Sequence, residues 1–181
     1  MEQKRVFVGV SISEEARNAV ERYIRELKER HPAIRARWLP PENLHITLRF
    51  VGNVSMRELS ELDQRTRDVA NRFAGIEAAL EGTGNFAKRR IRSDALWIGI
   101  KGDYLAAIAG ALADEEGRPF VPHLTIARLK DPRGGEDLVR EHLASTFESV
   151  PFRIDELLIY ESTLLPTGSV YSVLSKHQLK G

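Results

Sequence analysis

The chain has 181 residues, of which 42% are hydrophobic and 29% are charged, so it can build one substantial core or two small fused lobes. It contains no cysteine, which excludes disulfides and thiolate metal sites, and no N-terminal apolar stretch predicts a signal peptide or membrane span; we expect a cytoplasmic protein. The formal charge of +1 argues against a protein that coats long nucleic acids and favours a substrate with one or two phosphates.

The apolar pattern of the first half alternates between the periods of a strand and of a helix. It predicts strands at residues 6–12, 35–39 and 44–51. It predicts helices at residues 13–30 and 55–73. Ser13 is the expected N-cap of the first helix, and the S-M-R-E run from Ser55 to Glu58 forms a capping box for the second.

The second half repeats this alternation. Its pattern predicts strands at residues 76–80, 95–100, 121–129, 152–161 and 170–177. One helix is expected to start at the cap Asp103 and to carry Leu105, Ile108 and Leu112, and another covers residues 136–147. A parallel Rossmann-like sheet would also alternate in this way, but no G-x-G-x-x-G follows the first strand.

One four-residue pattern occurs twice, as HITL from His45 and as HLTI from His123, in a chain with only five histidines. On a strand, side chains alternate between the two faces, so His45 shares a face with Thr47, and His123 shares one with Thr125. The copies lie 78 residues apart, close to half the chain length, as a duplicated lobe would place them. The repeat therefore predicts two similar halves that bring both histidines to one cleft.

Paired histidines suit the opening of a cyclic phosphodiester. A base must take a proton from water while an acid protonates the departing oxygen on the opposite side of phosphorus. Imidazole titrates near neutrality, so one ring can be neutral while the other is protonated. The hydroxyls of Thr47 and Thr125 can donate to the charged phosphate oxygens from the same strand faces.

The strings NLHITLRFVG and FVPHLTIARL resemble the two signature segments of the 2H phosphoesterases, in the branch of RNA 2',3'-cyclic phosphodiesterases, or 2'-5' RNA ligase-like proteins. The likeness extends over VFVGVSI, WLPPENLH, ALWIGI and YESTLLPTGSVY. It implies an α+β, bilobal, pseudo-symmetric fold with two antiparallel-type sheets facing a central cleft and helices outside. Residues 1–181 would be one domain of two intertwined lobes, a monomer that acts on RNA with a 2',3'-cyclic phosphate terminus without cofactor or metal.

The resemblance also implies roles for particular residues. It makes His45 the proton donor to the leaving oxygen and His123 the proton acceptor that activates water, although pseudo-symmetry also allows the reverse assignment. It implies a 2'-monophosphate product and, in the opposite direction, 2'-5' ligation. Arg128 is the candidate phosphate-binding arginine, because this branch often carries one five residues after the second histidine. Simple alternation would turn Arg128 away from His123, so a bulge or strand end must re-aim it.

Several other residues have two interpretations. Arg49 shares the parity of His45 and could either reach the cleft or lie at its rim. Trp38 and Trp97 sit in apolar runs that favour core packing over base stacking. The basic group Lys88, Arg89, Arg90 and Arg92 suits either a solvated loop or an RNA guide. His31, His142 and His177 lack the motif and are interpreted as packing or surface residues.

Two other classes of protein remain as alternatives. A metallohydrolase is disfavoured because the chain has no H-E-x-x-H, no H-x-E with paired cysteines and no dense Asp/His cluster. An RNA-end binding module without turnover is disfavoured because both H-x-T motifs are intact. The residues do not separate an RNA terminus from another cyclic or 2'-5' linked nucleotide.

Overall fold

The computed structural model describes residues 3–88, 91–113, 120–130, 135–166 and 168–181, without side chains at 87–88 and 91–94. The strands are β1 (Lys4–Val10), β2 (Ala36–Trp38), β3 (Ile46–Val54), β4 (Ile76–Lys88), β5 (Ile91–Gly102), β6 (His123–Leu129), β7 (Val150–Ile154), β8 (Glu156–Leu165) and β9 (Gly168–Gln178). The helices are α1 (Glu14–Arg30), α2 (Met56–Ala70), α3 (Leu105–Leu112) and α4 (Glu136–Ala144), with a 3₁₀ turn at Pro41–Asn43.

All paired strands run antiparallel, in the order β7-β4-β5-β6-β3-β1-β8-β9, with β2 added to β6. The eight strands of this order thus form two halves of four, β2 extends the half that contains β6, and the motif strands β3 and β6 lie side by side at the junction. Helices α1 and α4 contact strands of the β4-β5-β7 half, whereas α2 and α3 contact the other half. The predicted α+β class and the two antiparallel halves are confirmed.

The junction between the halves is narrow. The register that joins β3 to β6 consists of one residue pair, Ile46 opposite Leu124. Each of these residues directly follows a motif histidine. Because the strands are antiparallel, this pair places His45 towards Thr125 and His123 towards Thr47. A local twofold axis therefore relates the two copies of the motif at the point where the halves meet.

Helix starts follow the sequence where a capping side chain is present. Ser13 accepts from the amide of Ala16 at 3.1 Å, and Ser55 and Glu58 form the complete capping box at the start of α2. The expected cap Asp103 is wrong. Tyr104, with a φ of 70°, occupies the N-cap position of α3 and makes no side-chain cap bond there.

Strand limits differ from the prediction at two places. β4 continues eight residues past the predicted end at Leu80, because Gly82 adopts a φ of 76° beside a register shift and the strand resumes its pairing with β5. The strand predicted at residues 152–161 is two strands that flank Asp155. Only this single residue, rather than a loop of turn residues, separates them, so composition gave no signal.

The core lies between the sheet and the helices. One cluster of buried side chains includes Val8 of β1, Leu27 of α1, Ile46 of β3, Leu124 of β6 and Leu138 of α4, all at most 1% exposed. A second, smaller cluster of Phe7, Leu158 and Tyr160, with Tyr171 packed against it, lies beside His45. Within the described residues, no helix is long and apolar enough to cross a membrane.

Candidate active site

His45 lies between the 3₁₀ turn and β3, held by two hydrogen bonds. Its Nδ1 is 2.6 Å from the carbonyl oxygen of Asn43, so Nδ1 carries a proton and donates it there. Its Nε2 is 3.0 Å from Oγ1 of Thr47. In the neutral ring Nε2 accepts from this hydroxyl, and in the charged ring it donates to it. The ring is therefore oriented with Nε2 available for proton transfer beside Thr47.

His123 begins β6 and repeats this arrangement. Its Nδ1 is 2.7 Å from the carbonyl oxygen of Val121, again two residues before the histidine, so Nδ1 is the protonated nitrogen. Nε2 is again the nitrogen left for chemistry. Thr125 lies two residues further along the same strand and is half-buried. Both motifs thus fix the same tautomer through the same local bond.

Aromatic rings enclose both histidines. The ring centroid of His45 is 4.7 Å from that of Phe7 and 5.0 Å from that of Tyr171, which meets it edge-on. The ring of Phe86 lies 4.7 Å from that of His123, also edge-on, and Trp97 lies 6.2 Å away. These rings limit the water that can reach each imidazole on its aromatic side.

Burial lowers the pKa of both histidines, since it penalises the charged ring. The hydrogen bonds to Asn43 and Val121 oppose this effect by stabilising the imidazolium. The charge of His123 lowers the pKa of His45 further, which places the two rings within electrostatic reach. The guanidinium of Arg128 lowers the pKa of His123 in the same way. Burial thus favours the neutral form of both rings.

A bulge follows the threonine in both motifs. On β3, Thr47 pairs with Gly9 and Arg49 with Val8, so Leu48 is an extra residue. On β6, Thr125 pairs with Trp97 and Ala127 with Leu96, so Ile126 is the extra residue at the equivalent place. An extra residue reverses the alternation of the side chains that follow it.

The bulge on β6 re-aims Arg128. Ile126 and Ala127 are both buried, and Arg128 is exposed on the side of His123, whose pKa it affects. Arg128 also lines two cavities, of about 320 and 590 Å³, that both include Tyr171 next to His45. The structure therefore brings Arg128 to the same cleft as both histidines.

The bulge on β3 turns Arg49 away from the cleft. Arg49 donates from Nη1 to the carbonyl oxygen of Leu112 at the end of α3, at 2.5 Å, and lines a cavity against α2. The interpretation that Arg49 could reach the cleft by sharing the parity of His45 is therefore wrong. Phe50, 72% exposed, occupies the position that corresponds to Arg128.

Asn43 is a site residue that the sequence interpretation missed. Its side chain is 7% exposed, and its Nδ2 donates to the carbonyl oxygen of Ser169 at 2.7 Å, tying the 3₁₀ turn to the start of β9. Its own carbonyl oxygen orients His45. The only feature of the sequence that pointed to Asn43 was its position, since it is a polar residue two positions before the motif histidine His45 and the apolar strand that follows.

A family model described as LigT like Phosphoesterase matches residues 10–97 and 100–171. The chain belongs to the LigT-like phosphoesterases. The matched segments contain both histidine motifs and Arg128, so the repeat identified in the sequence lies within the family match.

Similar proteins cover the whole chain. An RNA 2',3'-cyclic phosphodiesterase of Thermotoga maritima is 31% identical over 98% of this chain and 96% of its own length, and one of Methanothermobacter thermautotrophicus is 29% identical over 97% and 98%. A crystal structure of a Thermus thermophilus protein, 27% identical, covers 98% of both chains with a TM-score of 0.78. The crystal structure of LigT from E. coli in complex with ATP, 22% identical, covers both chains fully with a TM-score of 0.75 and shares the fold.

Both tryptophans of this LigT-like phosphoesterase are half-buried. Trp38 packs against the core, lies 5.7 Å from Nζ of Lys28 and lines the cavity of about 320 Å³. Trp97 packs between Phe86 and Gly84, and its ring also lies on one side of His123.

The remaining histidines hold elements together. His142 is fully buried; its Nδ1 accepts from the hydroxyl of Tyr23 at 2.9 Å and its Nε2 donates to the carbonyl oxygens of Gly84 and Trp97. His31 contacts Glu141 on α4, and His177 contacts Asp63 on α2. The basic group at residues 88–92 lies outside the residues whose side chains are described. Among the described residues, no three His, Asp or Glu side chains form a group that could hold a metal ion.

Proposed function

We propose that this protein hydrolyses RNA 2',3'-cyclic phosphodiesters to 2'-phosphomonoesters by metal-independent acid–base catalysis with His45 and His123. The observation that carries the proposal is the pair of identically oriented imidazoles, each with Nδ1 bound to a backbone carbonyl and Nε2 left for proton transfer. The full-length similarity to proteins named RNA 2',3'-cyclic phosphodiesterase supports the substrate class.

The reaction divides two proton transfers between the rings. Neutral His123 accepts a proton from water at Nε2 while the water oxygen attacks phosphorus. The bond from phosphorus to the 3' oxygen breaks in line, and protonated His45 donates the Nε2 proton to that oxygen. The product carries a 2'-monophosphate and a free 3'-hydroxyl. The cation Arg128 next to His123 favours the neutral ring that a base requires.

Arg128 and the two motif threonines bind the phosphate. A guanidinium can donate two parallel hydrogen bonds to the non-bridging oxygens, and each threonine hydroxyl can add one. The incoming phosphate anion also stabilises the imidazolium of His45, which offsets the lowering of its pKa by burial. Substrate binding therefore helps to charge the acid that the reaction needs.

A 5'-hydroxyl can replace water as the nucleophile: His123 accepts its proton, the bond from phosphorus to the 3' oxygen breaks, His45 protonates that oxygen, and a 2'-5' linkage forms. The two histidines exchange roles only when this linkage is cleaved back to the cyclic phosphate, and hydrolysis prevails in water because water is in large excess. We also propose that residues 1–181 act as one domain, as a monomer and in the cytoplasm. The core cluster that extends through both halves supports the single domain.

The test is to incubate the purified protein with a short RNA that ends in a 2',3'-cyclic phosphate, in the presence of a chelator, and to resolve the two product isomers. His45→Ala and His123→Ala are assayed in parallel, with His31→Ala as the matched control. We expect the wild type and the control to yield only the 2'-phosphate and each motif variant to lose activity by at least about 100-fold.

Three outcomes would overturn the proposal. Turnover that survives both motif substitutions would exclude two-histidine catalysis. Loss of activity with chelator that returns with a divalent cation would indicate a metallohydrolase. Binding of the cyclic terminus without turnover would indicate an RNA-end binding module.

A further inference from the structure

We propose that Arg37 binds the phosphodiester on the 5' side of the nucleotide whose cyclic phosphate reacts, so that the site selects the end of an RNA chain over a free nucleoside cyclic phosphate. The inference rests on the proposed function and deepens it, because it concerns a group of the substrate that the proposed catalytic residues do not bind. It assigns a specificity-determining role to β2, the short strand that is added to β6.

Arg37 and Arg128 are directly opposite each other on β2 and β6. Opposite residues of an antiparallel pair point to the same face of the sheet, with their Cβ atoms about 4.5–5.5 Å apart. Because Arg128 lies in the cleft, the side chain of Arg37 also starts from the cleft face. Both residues are exposed, and both line the cavity of about 320 Å³. The cleft wall therefore carries two neighbouring guanidinium groups.

The described residues contain no partner for this pair of like charges. Like charges at directly opposite positions destabilise a strand pair. Among the described residues, neither arginine forms an ion pair with a carboxylate, and this holds also for Glu42, the one carboxylate in the lining of the cavity. A substrate with two anionic groups would neutralise both cations at once.

The cavity connects the two arginines to the reacting groups. Its lining includes Asn43, whose carbonyl oxygen accepts from Nδ1 of His45, and Tyr171, whose ring centroid is 5.0 Å from that of His45. From this end the cavity extends to Arg37 on β2. A phosphate held at the histidines is therefore followed by space for more of the RNA chain.

The chemistry of the RNA end identifies the second anionic group. A chain that ends in a 2',3'-cyclic phosphate continues only through its 5' oxygen, so its next phosphate is the diester on the 5' side of the reacting nucleotide. Arg128 binds the reacting phosphate, which leaves Arg37 for this diester. A free nucleoside cyclic phosphate lacks the diester. Because a phosphate contact carries no sequence information, the preference is for a chain end, whatever its bases.

The experiment compares two dinucleotides that end in the same 2',3'-cyclic phosphate. One has the natural phosphodiester between its nucleosides, and the other has a methylphosphonate there, which keeps the shape of the linkage and removes its charge. We expect the wild type to favour the charged linkage over either methylphosphonate diastereomer by about 5-fold in kcat/KM at low ionic strength, and added salt to reduce this ratio. Because each ratio is measured with one protein, a general loss of activity in a variant cancels.

Two substitutions of Arg37 and one control complete the test. Arg37→Ala should bring the ratio to about one, and Arg37→Lys, which keeps the charge without the planar fork, should retain part of it. Arg25→Ala, which removes an exposed arginine from α1, is the matched control and should keep the wild-type ratio. Equal kcat/KM of the wild type on both linkages, or a preference that Arg37→Ala retains, would refute the inference. Failure of the wild type to hydrolyse any of these dinucleotides would instead refute the proposed function on which it rests.

Discussion

Removing the side chain of Asn43 should impair catalysis through the orientation of His45. This buried side chain donates a 2.7 Å hydrogen bond to the carbonyl oxygen of Ser169, while the backbone of the same residue accepts from Nδ1 of His45. In Asn43→Ala the Ser169 carbonyl loses its donor, which costs about 1–3 kcal/mol of unfolding free energy. The 3₁₀ turn is then free to shift, and a displacement of about 1 Å at His45 can lower kcat by as much as about 100-fold.

The assay measures kcat, KM, the pH profile and the unfolding free energy of each variant. We expect kcat of Asn43→Ala to fall by about 10- to 100-fold with little change in KM. The bond to the Asn43 carbonyl raises the pKa of His45, so weakening it lowers that pKa and moves the high-pH limb of activity to lower pH. Asn43→Asp, which keeps the shape but lacks the donor, should behave like the alanine variant.

Ser169→Ala is the matched control for Asn43, because it leaves the accepting backbone carbonyl in place. We expect it to retain the wild-type kcat and pH profile. A variant Asn43→Ala that loses about 1–3 kcal/mol of stability, yet keeps kcat within about twofold and the same high-pH limb, would show that this hydrogen bond stabilises the fold without orienting the catalytic ring.

Three further substitutions test the surroundings of the second histidine. Arg128→Gln should lower kcat/KM by about 100- to 1000-fold. Because the substitution removes a cation, it should also raise the pKa of His123 and move the low-pH limb of the activity profile to higher pH. An unchanged low-pH limb would contradict this reasoning. His142→Ala should cost about 2–4 kcal/mol by thermal or chemical unfolding. Burial lowers the pKa of His142 from 6.5, so as the pH falls this histidine is protonated in the unfolded chain before it is protonated in the folded one. The unfolding free energy of the wild type should therefore fall as the pH drops below 6.5, and that of His142→Ala should fall less steeply. In Gly84→Ala the added Cβ would overlap the ring of Trp97, so we expect a lower unfolding free energy and a lower kcat. Wild-type values of both would show that Trp97 does not pack closely against residue 84.

The repeated motif predicted that two strands meet at the centre of the fold, because each copy has the pattern of a strand and the acid–base chemistry needs a histidine from each copy. Alternation correctly placed each threonine on the face of its histidine, since no bulge lies between them. The capping box at Ser55 located α2 equally well, because both of its hydrogen bonds are local. Short-range chemistry was thus readable from the sequence.

The errors arose where long-range pairing decides local geometry. The bulges at Leu48 and Ile126 are visible only through their partner strands, and they turn Arg49 towards the helices and Arg128 towards the cleft. Periodicity alone could not distinguish these two arginines. Asn43 likewise depends on a residue 126 positions away, so its contribution could not be predicted from its neighbours.

The pH dependence of kcat/KM for the wild type, His45→Ala and His123→Ala on one cyclic-phosphate RNA tests the paired-histidine mechanism most directly. We expect a bell-shaped profile for the wild type, centred below pH 6.5 because burial lowers the pKa of both rings from that value. The residual activity of His45→Ala should lack the high-pH limb, and that of His123→Ala should lack the low-pH limb. Retention of the full bell by either variant would contradict catalysis by these two histidines.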